Sequence, residues 1–363
     1  RNSAATRVNA QGLVENVQIL SSNLVSNGNF SQEGVELLSQ PVNLVTDFTT
    51  NSGGVIVDAD TFTTSGGGLD GIKKSFLTVG KSYKLVIEGD TTSSGFTIGS
   101  LGNSGNEYGS GFGTHYFECI NSGLWIRQNT SGTTNITSFS VKEVGQDWIL
   151  GTGWSIGDDK AICDGTQTSN SLIYQNIGSQ ANKTVKFSFT VTDYVSGVLE
   201  TAFFGASGTI SETISANGDY TFYIAVQSGH NGNTGFTAKV GFEGSITNIS
   251  IKEVGQDWTL GGTATIGDNL VNINSPSGEN AEVYQSSVLV IGRKYKLDCT
   301  LNKTSGDTQF VNGGTFILNN GSNVIQFTAT DTRVYFKRGA GSVISSITNI
   351  SVLEITDDTN LPR

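Results

Sequence analysis

Few residues in this chain are of a type that carries chemistry. The two histidines are His115, in Gly113-Thr114-His115-Tyr116, and His230, in Gly229-His230-Asn231-Gly232. Neither has a companion Ser or Cys motif and neither is repeated, so nucleophilic catalysis is unmarked, although a Ser-His-Asp triad is set by geometry and not by spacing. The paired carboxylates of glycoside hydrolysis are unmarked as well. Asp158-Asp159 and Asp58/Asp60 lie in loop-like sequence, where Asp serves turns by accepting from its own backbone. Ile156-Gly157-Asp158 recurs as Ile266-Gly267-Asp268. Asp158 and Asp268 could lend oxygens to a structural calcium, or could make a strand-to-strand turn together with Asp159 and Asn269. No other cofactor is implied.

The aromatic residues offer more. Gly145-Gln146-Asp147-Trp148 returns unchanged as Gly255-Gln256-Asp257-Trp258, and repetition of Trp148 and Trp258 across units marks a core or junction residue. Trp154 has Ala264 at the equivalent place, and Trp125 has no counterpart. Aromatic residues that one unit has and its sister lacks suit a sugar-stacking surface, where a flat ring meets the C–H face of a pyranose. Tyr174-Gln175 recurs as Tyr284-Gln285. The candidate glycan-stacking set is therefore Trp154, Trp125, Tyr174 and Tyr284.

The elements that must position these residues are strands. Short Val/Ile/Phe/Tyr runs are separated by Ser, Thr, Asn and 47 glycines, the texture of an all-β protein with many turns. The recurrences above share an offset of 110 residues, the size of a small domain. A first unit joins through Val79-Gly80-Lys81-Ser82-Tyr83-Lys84-Leu85, which matches Ile291-Gly292-Arg293-Lys294-Tyr295-Lys296-Leu297. Each unit closes on a similar strand: Ile136-Thr137-Ser138-Phe139-Ser140-Val141, Ile246-Thr247-Asn248-Ile249-Ser250-Ile251 and Ile347-Thr348-Asn349-Ile350-Ser351-Val352. Ile136, Ile246 and Ile347 head a period-two apolar face that continues through Ser138, Asn248 and Asn349 only if the strand bulges; the alternate face, Phe139/Val141, Ile249/Ile251 and Ile350/Val352, reads as the core face.

The organisation read from this is an all-β chain of three tandem antiparallel, jelly-roll-like β-sandwiches at 41–144, 145–254 and 255–355. They follow an N-terminal arm or hairpin segment at 1–40, with one turn of helix expected near Ser31–Leu38, and precede a tail at 356–363. In the first unit Ser82–Glu88 and Gly95–Gly99 read as a strand pair. Junctions of a few residues predict a semi-rigid rod.

The net charge of −11 speaks against nucleic acid, whose phosphates need clustered Lys and Arg. No apolar run is long enough for a membrane-spanning helix. Cys119, Cys163 and Cys299 have no metal-ligand spacing, and the last two align with apolar residues of a sister unit, so buried free thiols are expected. Asn-x-Ser/Thr triplets such as Asn248-Ile249-Ser250 lie within strands and read as strand residues, not glycan acceptors. The absence of Met and of a signal sequence suggests a processed product or part of a longer chain.

With its "SVKEVGQDW", "GTGWSIGD" and "ITNISV" stretches, the chain resembles the tandem β-sandwich modules of tailed-bacteriophage structural proteins, such as tail fibres and appendages. The opening "NLVSNGNF" at Asn23–Phe30 is similar to that of carbohydrate-binding-module jelly rolls. The resemblance implies a non-enzymatic virion or extracellular protein. Its partners would be copies of itself, as in a homotrimer, other virion proteins and host-surface glycans, with no nucleic acid and no membrane insertion. A secreted bacterial carbohydrate-binding or adhesin array and a polysaccharide depolymerase are the alternative readings.

Overall fold

The computed structural model describes residues 22–100, 106–207, 209, 211–256 and 258–355. The hairpin or arm expected before residue 22 and the tail after 355 lie outside these. What is described is almost wholly antiparallel sheet, apart from a four-residue helix at Leu44–Asp47 capped by Asn43. Each module is a sandwich of two sheets built on the same two five-strand paths, with Glu33–Glu36 added as a sixth strand to one sheet of the first. Counting from Thr49–Asn51, Ile149–Leu150 and Thr259–Gly262, one sheet runs first-fourth-ninth-sixth-seventh and the other second-third-tenth-fifth-eighth. Neighbours that are not consecutive make this a jelly-roll-like sandwich and not a meander.

Period-two patterning builds the cores. In Thr184–Ser196, Val185, Phe187, Phe189 and Val191 point inward and are nearly fully buried, while the residues between them are not. Each such Phe contributes on the order of 2–3 kcal/mol by leaving water. Three clusters result, centred on Phe139, Phe187 and Leu297 of the first, second and third modules. The closing strands Gly132–Val144, Glu243–Val254 and Val343–Glu354 pair along their length with Ser82–Thr91, Thr184–Ser196 and Lys294–Ser305. All three closing strands bulge: two of their residues oppose one of the partner between Ile136 and Ser138, between Thr247 and Ser250, and between Thr348 and Ser351. Asn248 and Asn349 take φ of 55° and 52° there. The bulge inverts the alternation, so Ile136, Ile246 and Ile347 are buried together with the core pairs that follow them.

Two sequence expectations fail here. Ser82–Thr91 and Phe96–Ser100 are not paired; they lie in opposite sheets, because the chain turns across the sandwich between them. Glu33–Glu36 is a strand and not helical. It is pinned by Glu36, whose carboxylate accepts from Val141 N at 2.9 Å and Ser140 Oγ at 2.5 Å, and by Glu33, which bridges Lys84 and Lys142 at 2.6 and 2.9 Å.

The described part of the presumed arm is not an arm. Asn23–Phe30 belongs to the second module although the whole first module separates them in sequence. Leu24 N–H donates to Ile251 O and Ile249 N–H to Gly28 O, both at 2.8 Å, and Asn23 Oδ1 accepts from Ile251 N at 2.9 Å. Gln175 exchanges two hydrogen bonds with the Ser26 backbone, at 2.8 and 3.1 Å. Val25 and Phe30 sit in the second core, with Phe30 against Trp148 at 5.3 Å between ring centroids. The chain then crosses to the first module, where Leu37 N–H donates to Val141 O at 3.0 Å and Leu38 enters that core. Opening strands are edge elements whose free N–H and C=O groups pair wherever a complementary edge stands.

Candidate binding surface

The seams between modules account for several residues singled out above. Trp148 is 8% exposed, its indole N–H donates to Asn27 O at 3.1 Å, and it belongs to the second core. Trp258 is partly buried against the third core. Beside them run grooves of about 240 Å³ and about 490 Å³ respectively. Asp158-Asp159 forms the tip of the hairpin between Trp154–Gly157 and Lys160–Asp164, with φ of 48° and 57°, the two-residue turn that fits strand twist. Asp268-Asn269 tips the equivalent hairpin. Asp268 meets Lys186 of the second module at 3.4 Å, and Lys186 lies 5.7 Å from the Tyr223 ring. At the first seam Lys84 lies 6.0 Å from the Tyr116 ring, and Tyr116 packs on the second core as Tyr223 packs on the third. Among the described residues no group of three or more His, Cys, Asp and Glu gathers that could hold a metal. Asp158 and Asp268 are hairpin residues at the seams.

The outward face of one sheet in each module forms a second repeated feature. Cross-strand register aligns Thr49, Lys73, Trp125, Gly99 and Glu107 in the first module. It aligns Ile149, Tyr174, Gly235 and Ala202 in the second, and Thr259, Tyr284 and Tyr335 in the third. These are equivalent rows of the same sheet: Tyr174 and Tyr284 occupy the same position of the fourth strand, and Trp125, whose local sequence is unlike theirs, lies in that row on the ninth. The adjoining row is mostly polar, with Arg127 and Thr97 in the first module, Thr237 and Glu200 beside Leu172 in the second, and Glu282, Lys337 and Gln309 beside Ile317 in the third.

In the third module the row carries two half-exposed rings. Tyr284 and Tyr335 meet edge to face at 6.0 Å, and Arg333, held by Asp331, lies 5.4 and 5.1 Å from their centroids. Tyr335 donates its hydroxyl proton to Glu282 at 2.5 Å; burial, and then this carboxylate, push its pKa up to about 12. In the second module Tyr174 packs edge-on to Phe204 at 5.4 Å, with the Asn176–Asn233 side-chain bond of 3.0 Å alongside. A partly open ring flanked by fixed donors and acceptors suits a small polar ligand with an apolar face, and a sugar is one.

The two tryptophan candidates do not offer such rings. Trp154 is 3% exposed in the second core, 6.2 Å from Phe242. No ligand can stack on it, and the expectation is corrected. Its signal was available: Trp154, Ser155 and Ile156 alternate, which puts Trp154 on the side of buried Ile156. Trp125 does face outward, yet is 4% exposed with the Arg127 guanidinium 5.4 Å from its ring, so it too is not an open platform. Tyr335, Arg333 and Glu282 were missed. The alternation of Val334, Tyr335 and Phe336 marks Tyr335 as outward, but nothing local reveals that it lies beside Tyr284.

His230 is buried in the second module. Its Nδ1 accepts from Gln180 N at 2.9 Å, which leaves Nε2–H to donate to Asn233 O at 3.0 Å. His115 Nε2 lies 3.0 Å from Gly111 O. Cys119, Cys163 and Cys299 are buried and unpaired, and burial pushes the Cys299 thiol up to about 12.

No known protein family matches the chain, and no curated protein matches it. Among solved structures, the N-terminal CBM22-1-CBM22-2 tandem domain from Paenibacillus barcinonensis Xyn10C is similar over 59% of this chain and 94% of that one, at 10% identity and a TM-score of 0.24.

Proposed function

We propose that the chain is a non-catalytic array of glycan-binding β-sandwich modules, used as a rod-like part of a virion fibre or appendage. The observation that carries the binding reading is the outward row of Tyr174 in the second module and Tyr284 with Tyr335 in the third. It presents half-exposed rings in register, beside fixed polar side chains. One such site on a shallow sheet face is weak. Sites repeated along a rod raise the effective concentration of each next contact, so weak binding suffices for adhesion to a polyvalent surface. The non-catalytic reading is supported by the two histidines: His230 is held between Gln180 N–H and Asn233 O with the Thr234 hydroxyl alongside, and His115 Nε2 faces Gly111 O.

The test is binding of the full chain to a broad glycan array, with Tyr284→Ala/Tyr335→Ala and Tyr174→Phe as variants. The double variant should lose about tenfold or more of the affinity, as expected when stacking worth 1–2 kcal/mol is removed, with its melting transition retained. Absence of binding to every glycan would sink the adhesive role, and release of reducing sugar from a capsular polysaccharide would overturn the non-catalytic one. Oligomeric state separates the two settings: a trimer supports a fibre, and a monomer supports a secreted bacterial module array.

A further inference from the structure

In each module the third strand, Thr61–Thr64, Lys160–Asp164 or Leu270–Ser275, pairs with only the first part of the closing strand, up to Asn135, Ile246 and Ile347 respectively. Beyond that point the edge is open to another strand. In the first module it is taken at Val141 by Glu36 and Leu37, and in the second at Ile251 by Asn23 and Leu24. The two attachments coincide in detail. A side-chain oxygen of Glu36 or Asn23 accepts from the N–H of Val141 or Ile251, and the following Leu donates its N–H to the carbonyl of that same residue. The next residue, Leu38 or Val25, enters the core. The equivalent residue of the third module is Val352, and among the described residues no segment pairs with it on that side.

We infer that the closing strand of the third module is completed by residues of this chain's own N-terminal segment, Leu13-Val14-Glu15-Asn16. The two attaching segments are Leu24-Val25-Ser26-Asn27 and Leu37-Leu38-Ser39-Gln40, and the pattern Leu-(Val or Leu)-x-(Asn or Gln) occurs once more, at 13–16; Gly12 precedes it, so this copy carries the Leu and the apolar residue after it but not the side-chain oxygen of Glu36 or Asn23. These residues lie outside the described ones, so their sequence and their order make the case. The copy next to the first module serves the first module, and the next copy back serves the second. The copy before that stands in line for the third. Eleven residues separate Leu13 from Leu24 and thirteen separate Leu24 from Leu37. Eleven residues extend to about 36 Å, comparable with the diameter of a module of this size. The receiving residues are in register as well: Trp258 stands where Trp148 meets Phe30, and Gln285 where Gln175 holds Ser26. Ile19 follows Leu13 at the spacing by which Phe30 follows Leu24. The N-terminal segment would thus thread all three modules in reverse order.

The test is hydrogen exchange by mass spectrometry on the full chain, on a chain lacking residues 1–21, and on full-length Leu13→Asp. Both variants should exchange about tenfold or more faster across Val343–Glu354, with the first and second modules unchanged. A synthetic peptide of residues 11–20 added to the truncated chain should restore protection. Leu24→Asp in the full chain should shift the loss to the second module. Unchanged exchange of the third module in both variants would overturn the inference. So would loss confined to the first two modules, or protection of Val352 that appears only at concentrations where the chain is dimeric, which would mean that the strand comes from a second copy.

Discussion

Phe30→Ala should destabilise the second module and spare the first, although Phe30 stands immediately before the first module in sequence. Phe30 is 1% exposed, packed among Val25, Trp148 and the residues of the second core. Removing a buried Phe side chain costs about 3–5 kcal/mol as lost transfer energy plus the cavity left behind. The lost contact with Trp148 is worth about 0.5–1.5 kcal/mol of this. The hole cannot close easily, because the Trp148 indole is fixed by its bond to Asn27 O. We take about 4 kcal/mol, enough to lower the midpoint of a domain this size by more than about 10 °C. Guanidinium unfolding followed by Trp148 fluorescence should show the loss, and hydrogen exchange should place it in residues 145–254. Leu38→Ala, 4% exposed in the first core, is the reciprocal control and should affect the first module alone. A Phe30→Ala protein whose first module loosens while the second keeps its protection would refute the assignment of this strand.

Three further outcomes follow from the geometry. Cys299, with its thiol raised to about 12 by burial, should not react with a thiol reagent at pH 8 in the folded protein, and all three cysteines should react in denaturant. Asp70 is held down to about 2, first by the Ser65 hydroxyl at 2.6 Å and then by the N–H groups of Gly53 and Gly67. An unfolded Asp takes its proton near pH 4, so this contribution is present above about pH 4 and is lost as pH falls towards 2. Asp70→Asn should flatten the acid limb of the stability profile of the first module. Asn349→Val should cost about 1–2 kcal/mol by placing a β-branched residue at the bulge with φ of 52°, whereas Asn349→Gly should be tolerated; urea midpoints decide it.

Much of the architecture was legible in the sequence, because repetition and period-two patterning report the same thing. The closing strands, their core pairs and the buried thiols were readable from local spacing, whereas the bulge that buries Ile246 and Ile347 as well stood there only as a condition and was settled by the register. What was not legible depends on partners distant in the chain. Asn23–Phe30 has the look of a free opening strand, since Ile251, from whose N–H Asn23 accepts, lies 228 residues on. Tyr284 and Tyr335 become neighbours only through strand order. Trp154 was misplaced for another reason. A ring absent from a sister module can be surface chemistry or core volume, and here the pair Trp154 and Phe242 fills the core where the third module holds Ala264 and Val343.

The separation of 228 residues between Asn23 and Ile251 also sets a clock. At about 5–20 residues per second of synthesis, Leu24 leaves the ribosome roughly 10–45 s before the edge it will occupy. In that interval the first module can close, whereas the second holds an open edge until its own last strand emerges. Val25 and Phe30 must stay soluble throughout the wait. Translation speed, or a chaperone that shields a short apolar strand, therefore has a direct hold on the yield of the second module and very little on that of the first.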